Sequence, residues 1–161
     1  SYLNWKNIKV QAGHCVGGDL SNCNGVTHTF NAMSGISHRG ASTSLSALVN
    51  DNIYTEIIAD GIHVSDDALK LLLKCKPADK ILLVSDCLPC THSSVKEFNF
   101  AGSKIYFDGK CATSKDGPIA GSTKLLPDII KILADKNLFN PNWIDNLYVY
   151  HNLPFIGEVE I

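Results

Sequence analysis

Four ionisable side chains recur at comparable places along this chain. His14 ends the apolar run 8–14, His28 lies within 26–30, His63 follows 53–59, and Asp86 ends 80–86. A neutral imidazole offers a nitrogen lone pair to a divalent metal, and a carboxylate can take and return a proton. Two histidines and a carboxylate from neighbouring strands therefore suit metal-assisted hydrolysis with a general base. Taken singly, each histidine reads as a satisfied core residue. The recurrence at four successive runs is what argues for a site.

The runs themselves read as buried strands. Ile81, Leu82, Leu83 and Val84 form a continuous apolar centre rather than an alternation, which suits a parallel strand covered on both faces. Between the runs lie helical segments. Ser65, Asp66 and Asp67 open one, Ala68, Leu71, Leu72 and Leu73 continue it, and Pro77 stops it; a shorter one covers 42–49. Repeated strand, loop, helix, strand implies an α/β fold with parallel pairing and right-handed crossovers. In a (β/α)8 barrel the C-terminal strand ends carry the chemistry, the register these four residues occupy. After Asp86 the texture changes. Phe98, Phe100, Ile105, Tyr106 and Phe107, broken by Ala101, Gly102 and Ser103, predict a short β-rich excursion near 97–113. A helix over 123–136 follows, with Leu126, Ile129, Ile130 and Leu133 on one face and Pro127 in its first turn, and a final short helix is expected over 142–152.

Composition narrows the class. The 161 residues are 45% hydrophobic and 19% charged with a formal charge of -2, ordinary for a globular domain and short of the basic excess that nucleic acid requires. No apolar run reaches membrane-spanning length, and the first residues do not form a signal peptide. Cys15, Cys23, Cys75, Cys87, Cys90 and Cys111 are scattered among apolar segments, the pattern of reduced thiols in a cytoplasmic protein rather than of a disulfide scaffold.

Five strings occur in order: VQAGH at 10–14, VTHTFNAM at 26–33, IIADGIHV at 57–64, LVSD at 83–86 and IAGS at 119–122. Together they resemble the motif succession of the N-acetylglucosamine-6-phosphate deacetylase family of the amidohydrolase superfamily, over roughly residues 8 to 157. The resemblance implies the second half of a (β/α)8 TIM-type barrel over 1–161, acting on a small amino-sugar phosphate and releasing acetate in amino-sugar catabolism. It implies that His14 and His28 bind a divalent metal, with zinc the first choice and iron or another divalent ion the alternatives. Asp86 would be the general base and acid. Asn31, Ala32 and Arg39 would hold the sugar phosphate, for whose dianion a guanidinium is well shaped. His63 would contact substrate, and Ile119, Ala120 and Gly121 would form a loop lining the sugar pocket. A cytoplasmic homo-oligomer, a dimer for the complete enzyme, is implied as well, with no nucleic acid or membrane partner.

Some features differ from that family. The crossover between His14 and His28 leaves little room for a helix, and Cys87, Leu88, Pro89 and Cys90 stand where small residues are usual. The family also takes a glutamate ligand from an upstream strand, which nothing before His14 supplies. The chain is thus expected to be the C-terminal part of such an enzyme, with weak metal binding and little activity alone. Three other readings compete: an inactive remnant of such an enzyme, an amidohydrolase acting on another N-acyl substrate, and a zinc or redox module on Cys87, Cys90 and His92. The last lacks a second cysteine pair at zinc-ribbon spacing.

Overall fold

The computed structural model describes residues 2–6, 8–17, 19–115 and 117–140, and these fall into two compact units. The first comprises the described part of 2–57 with 67–83 and residue 140; the second comprises 58–66 and the described part of 84–139.

In the first unit the apolar runs form a parallel sheet. A short helix α1 (Tyr2–Trp5) precedes β1 (Gln11–Ala12), β2 (Gly25–Val26), β3 (Tyr54–Ile57) and β4 (Ile81–Leu83), which pair in the order β1-β2-β3-β4. All three pairings are parallel, with Gln11 opposite Gly25, Gly25 opposite Tyr54 and Thr55 opposite Ile81. Val26, Ile57, Ile81, Leu82 and Leu83 are buried, as central parallel strands require. Among the described residues no helix lies between β1 and β2, whereas α2 (Thr43–Val49) separates β2 from β3 and α3 (Asp66–Cys75) separates β3 from β4. Leu20, Val26, Ala47 and Ile53 form one core cluster, with Ala12, Cys23 and Met33 packed against it.

α2 is secured at both ends. Ser42 caps it, its Oγ accepting the Leu45 amide at 3.0 Å, and Ser42 Oγ itself donates to the Gly35 carbonyl at 2.5 Å. Near its other end the buried Lys76 ammonium donates to the carbonyls of Ala47, Asn50 and Ile53 at 3.2, 2.6 and 2.8 Å. Those three bonds use every donor a lysine has. Burial pushes the Lys76 ammonium below its ordinary pKa.

The second unit carries the β-rich excursion. β5 (Glu97–Phe100), β6 (Ser103–Phe107), β7 (Ala112–Ser114) and β8 (Ile119–Gly121) make an antiparallel sheet in chain order. Ala101 and Gly102, both at positive φ, close the β5–β6 hairpin, the combination that matches strand twist in a two-residue turn. Leu88, Cys90, Ile105, Phe107 and Ala112 form its core, with Phe98 and Ala120 against them. Then comes α4 (Leu126–Asp135), which buries Ile129 and Leu133 and begins with Asp128 Oδ2 accepting the Leu125 amide at 2.9 Å.

Several expectations need correction. The strands are shorter than their apolar runs, so His28 lies beyond β2 and not within a strand. The excursion extends past residue 113 to Gly121, and Ile119, Ala120 and Gly121 are strand β8 rather than a loop. α4 starts later than Thr123, because Thr123 is buried with its hydroxyl on the Lys110 carbonyl at 2.7 Å. The helix expected over 142–152 lies outside the described residues.

Candidate active site

Each parallel strand is followed, just past its C-terminal end, by residues singled out for chemistry. His14 follows β1, His28 follows β2, His63 follows β3 and Asp86 follows β4. Several stand in a backbone conformation that L-residues rarely adopt: φ is 49° at His14, 33° at His28, 49° at Ala32 and 48° at Asp86. Such positions cost about 1–3 kcal/mol each and persist only where surrounding contacts enforce them.

In the first unit the His14 and His28 rings meet edge to face, 4.8 Å between centroids at 77°. The Nδ1 of His28 is buried and has no hydrogen-bond partner among the described residues. A buried polar atom without a partner is uncommon, and a metal ligand is one of its accepted explanations. The pair therefore fits as two members of a ligand set. Among the described residues there is no group of three or more His, Cys, Asp and Glu side chains spaced to hold an ion.

The backbone around the pair is tied from several directions. Cys15 O accepts the Ser34 amide at 3.0 Å, while Ser34 Oγ accepts the amides of Gly17 at 2.9 Å and Thr43 at 2.8 Å. The loop after His14, the loop after His28 and the start of α2 are thus held together. Gly13 is required here, because a Cβ would overlap Thr27 Cγ2. Glu56, a buried carboxylate on β3, accepts Gln11 Nε2 at 3.0 Å and Thr27 Oγ1 at 2.6 Å, and its carbonyl accepts the Thr29 amide at 2.8 Å. It grips the residues on both sides of His28. The signal for Glu56 was a lone charge in an apolar run, which implies buried partners.

Asn31 and Arg39 divide differently. Asn31 Nδ2 donates to the carbonyls of His28 and Thr29 at 3.2 and 3.3 Å, so in this state it serves its own turn. Ala32 and Arg39 are exposed, and the Arg39 turn closes through Ser37 Oγ, which accepts the Gly40 amide at 3.1 Å.

In the second unit Asp60 is the centre of a buried network. Its Oδ1 accepts the amides of Ile62 and His63, both at 2.9 Å. Its Oδ2 accepts Ser122 Oγ at 2.9 Å and faces His63 Nδ1 at 2.8 Å. The side chains of His63 and Asp60 are 6% and 0% exposed. Burial alone would raise the Asp60 carboxyl, but the His63 ring and the two amides outweigh it and lower the pKa to about 2. Ser122 reaches a second way: its amide donates to the Asp86 carbonyl at 2.8 Å and its carbonyl accepts the Leu88 amide at 2.9 Å. Gly121 permits this approach, since a Cβ there would meet Leu88 Cγ at 2.8 Å and Asp86 O at 3.0 Å. Asp86 itself is exposed. The structure thus brings His14 to His28, and Asp60, His63 and Ser122 to one another.

The cysteine alternative finds little support. All six thiols are free, Cys87 is exposed and Cys90 buried, and burial raises the Cys90 thiol above its ordinary pKa. That disfavours the thiolate on which zinc and redox chemistry depend.

The chain is 36% identical over 97 residues, 60% of its length, to the N-acetylglucosamine-6-phosphate deacetylase of Bacillus subtilis. It is 26% identical over 163 aligned positions, 97% of its length, to the N-acetylgalactosamine-6-phosphate deacetylase of Escherichia coli O157:H7. The N-acetylglucosamine-6-phosphate deacetylase structure from Pasteurella multocida superposes with a TM-score of 0.79 at 26% identity, covering 95% of this chain and 41% of that one. This chain is a homologue of the amino-sugar-6-phosphate deacetylases. Its parallel sheet is accordingly part of an amidohydrolase-type barrel. The alignments cover 24% and 43% of the two curated relatives, so the chain spans less than half the length of those deacetylases. No protein-family profile matches it. Among the described residues no helix is long and apolar enough to cross a membrane.

Proposed function

We propose that this chain contributes to removal of the N-acetyl group from N-acetylglucosamine 6-phosphate, giving glucosamine 6-phosphate and acetate. The observation that carries the reading is the strained His14–His28 pair with its unpartnered, buried Nδ1. It is supported by the deacetylase names of the relatives. His14 and His28 would hold a divalent ion, zinc before iron, as two of its ligands. Such an ion supplies Lewis acidity, which polarises an amide carbonyl and acidifies water.

The remaining roles belong to the chain's own side chains. Asp86, exposed and fixed through its carbonyl, would take a proton from the attacking water and return it to the departing amine. Arg39 would clasp the phosphate with its planar fork, beside Asn31 and Ala32 on the same loop. His63 would contact a sugar hydroxyl, and Ile119, Ala120 and Gly121 would border the sugar. The reading includes a cytoplasmic dimer for the complete enzyme; sedimentation showing that enzyme to be a strict monomer contradicts the dimer.

A second reading changes only the sugar. The relative that aligns along 97% of this chain is named for N-acetylgalactosamine 6-phosphate. Acetate release from the two sugar phosphates, with zinc or iron supplied, separates the readings. Faster release from the gluco substrate supports the first and faster release from the galacto substrate the second. No release from either by the complete enzyme that contains this chain, folded and ion-loaded, contradicts both.

A further inference from the structure

Asp60 has no role in the reading above, yet it is among the best-bonded groups described. A carboxylate has about four acceptor directions, and here each is used: two by the Ile62 and His63 amides, one by Ser122 Oγ and one by the His63 ring. A group so occupied cannot take a metal ligand's place without giving up a buried bond. Its surroundings also keep it ionised at neutral pH, where it can only accept. The proton in the 2.8 Å contact must therefore sit on His63 Nδ1.

We propose that Asp60 is a positioning residue that locks the His63 imidazole as its Nδ1–H tautomer, leaving Nε2 to accept a hydrogen bond from a hydroxyl of a polyhydroxylated substrate. A neutral ring has one donor and one acceptor nitrogen, and the bond made by one decides the state of the other. The two Asp60 oxygens fix more than the proton. Oδ1 holds the His63 backbone while Oδ2 holds its ring, so main chain and side chain are set by one carboxylate. Ser122 Oγ braces Oδ2, and the Ser122 backbone is bonded to Asp86 and Leu88. The tautomer lock stands on this geometry alone; the hydroxyl as ligand rests on the deacetylase reading.

The test is long-range proton–nitrogen correlation NMR of the 15N-labelled full chain at neutral pH, with His63 assigned by His63→Gln. A protonated Nδ1 and bare Nε2 are expected in the wild type, and that measurement decides the lock even where a variant fails to fold. A protonated Nε2, in either a neutral or a doubly protonated ring, overturns it. Asp60→Asn turns an amide donor toward Nδ1 and should reverse the pattern to Nε2–H, whereas Ser122→Ala should leave it unchanged. An unchanged pattern in the first variant, or reversal in the second, would mean that something other than the Asp60 carboxylate sets the tautomer. Adding N-acetylglucosamine 6-phosphate, then its galacto epimer, probes the ligand separately. A shift of the Nε2 resonance supports the hydroxyl contact; a saturating sugar phosphate that moves other signals but not Nε2 refutes that contact and leaves the lock standing. Failure of both sugars to bind counts against the deacetylase reading instead.

Discussion

The segments after β1 and β2 and those after β3 and β4 carry polar residues in opposite conditions. Around His14 and His28 the backbone is firmly tied, yet a buried ring nitrogen has no partner among the described residues and both histidines sit at positive φ. Around Asp60 and His63 every carboxylate oxygen is engaged and the carboxyl is held at a pKa of about 2. One region is complete in itself. The other is rigid but unfinished, the condition expected of groups whose partner is a ligand rather than the protein.

The contrast can be broken by mutation, starting with the largest effect. In the complete enzyme, Asp86→Asn should lower acetate release by about 100- to 10,000-fold while leaving ion and sugar binding in place, because only proton transfer is lost. Near-normal turnover would remove Asp86 from the chemistry. Arg39→Ala should weaken binding of the phosphorylated sugar by about 10- to 150-fold, the worth of a charge-assisted contact, with little change for the unphosphorylated sugar. Equal losses measured by calorimetry would make Arg39 a support for its loop.

Smaller effects concern stability. The Asp60 carboxyl titrates lower in the folded chain than its ordinary value of 3.8, so its contribution is fully present above pH 4 and is lost as pH falls toward 2. It amounts to about 2 kcal/mol. Asp60→Asn should therefore flatten the acid limb of a stability–pH curve between about pH 4 and 2, and an unaltered limb would place that titration elsewhere. Ser34→Ala removes the acceptor for two amides near His14 and should cost about 1 kcal/mol in denaturant melts. No change would show that the two loops hold without it.

Much of this was legible in the chain, and the misses have physical causes. The parallel order, α2, α3 and the β5–β6 hairpin follow from apolar runs, capping residues and turn chemistry. The run Val26, Thr27, His28, Thr29 and Phe30 was expected to form one strand, but His28 and Phe30 have φ of 33° and 78°, which no strand accommodates. Residue type does not announce such strain; tertiary contacts impose it. β7 and β8 are short and carry small residues, so neither length nor periodicity marks them. Asp60 was visible as a polar residue in a motif. Its partner Ser122 lies 62 residues away, and only folding pairs them.

Titration of the labelled full chain with zinc, followed at the imidazole nitrogens, tests the contrast most directly. Resonances of His14 and His28 should shift together, His28→Ala should abolish the response, and the His63 nitrogens should keep their pattern. Zinc that leaves both His14 and His28 unmoved, or that perturbs His63 or the Cys87–Cys90 segment in their place, would contradict it.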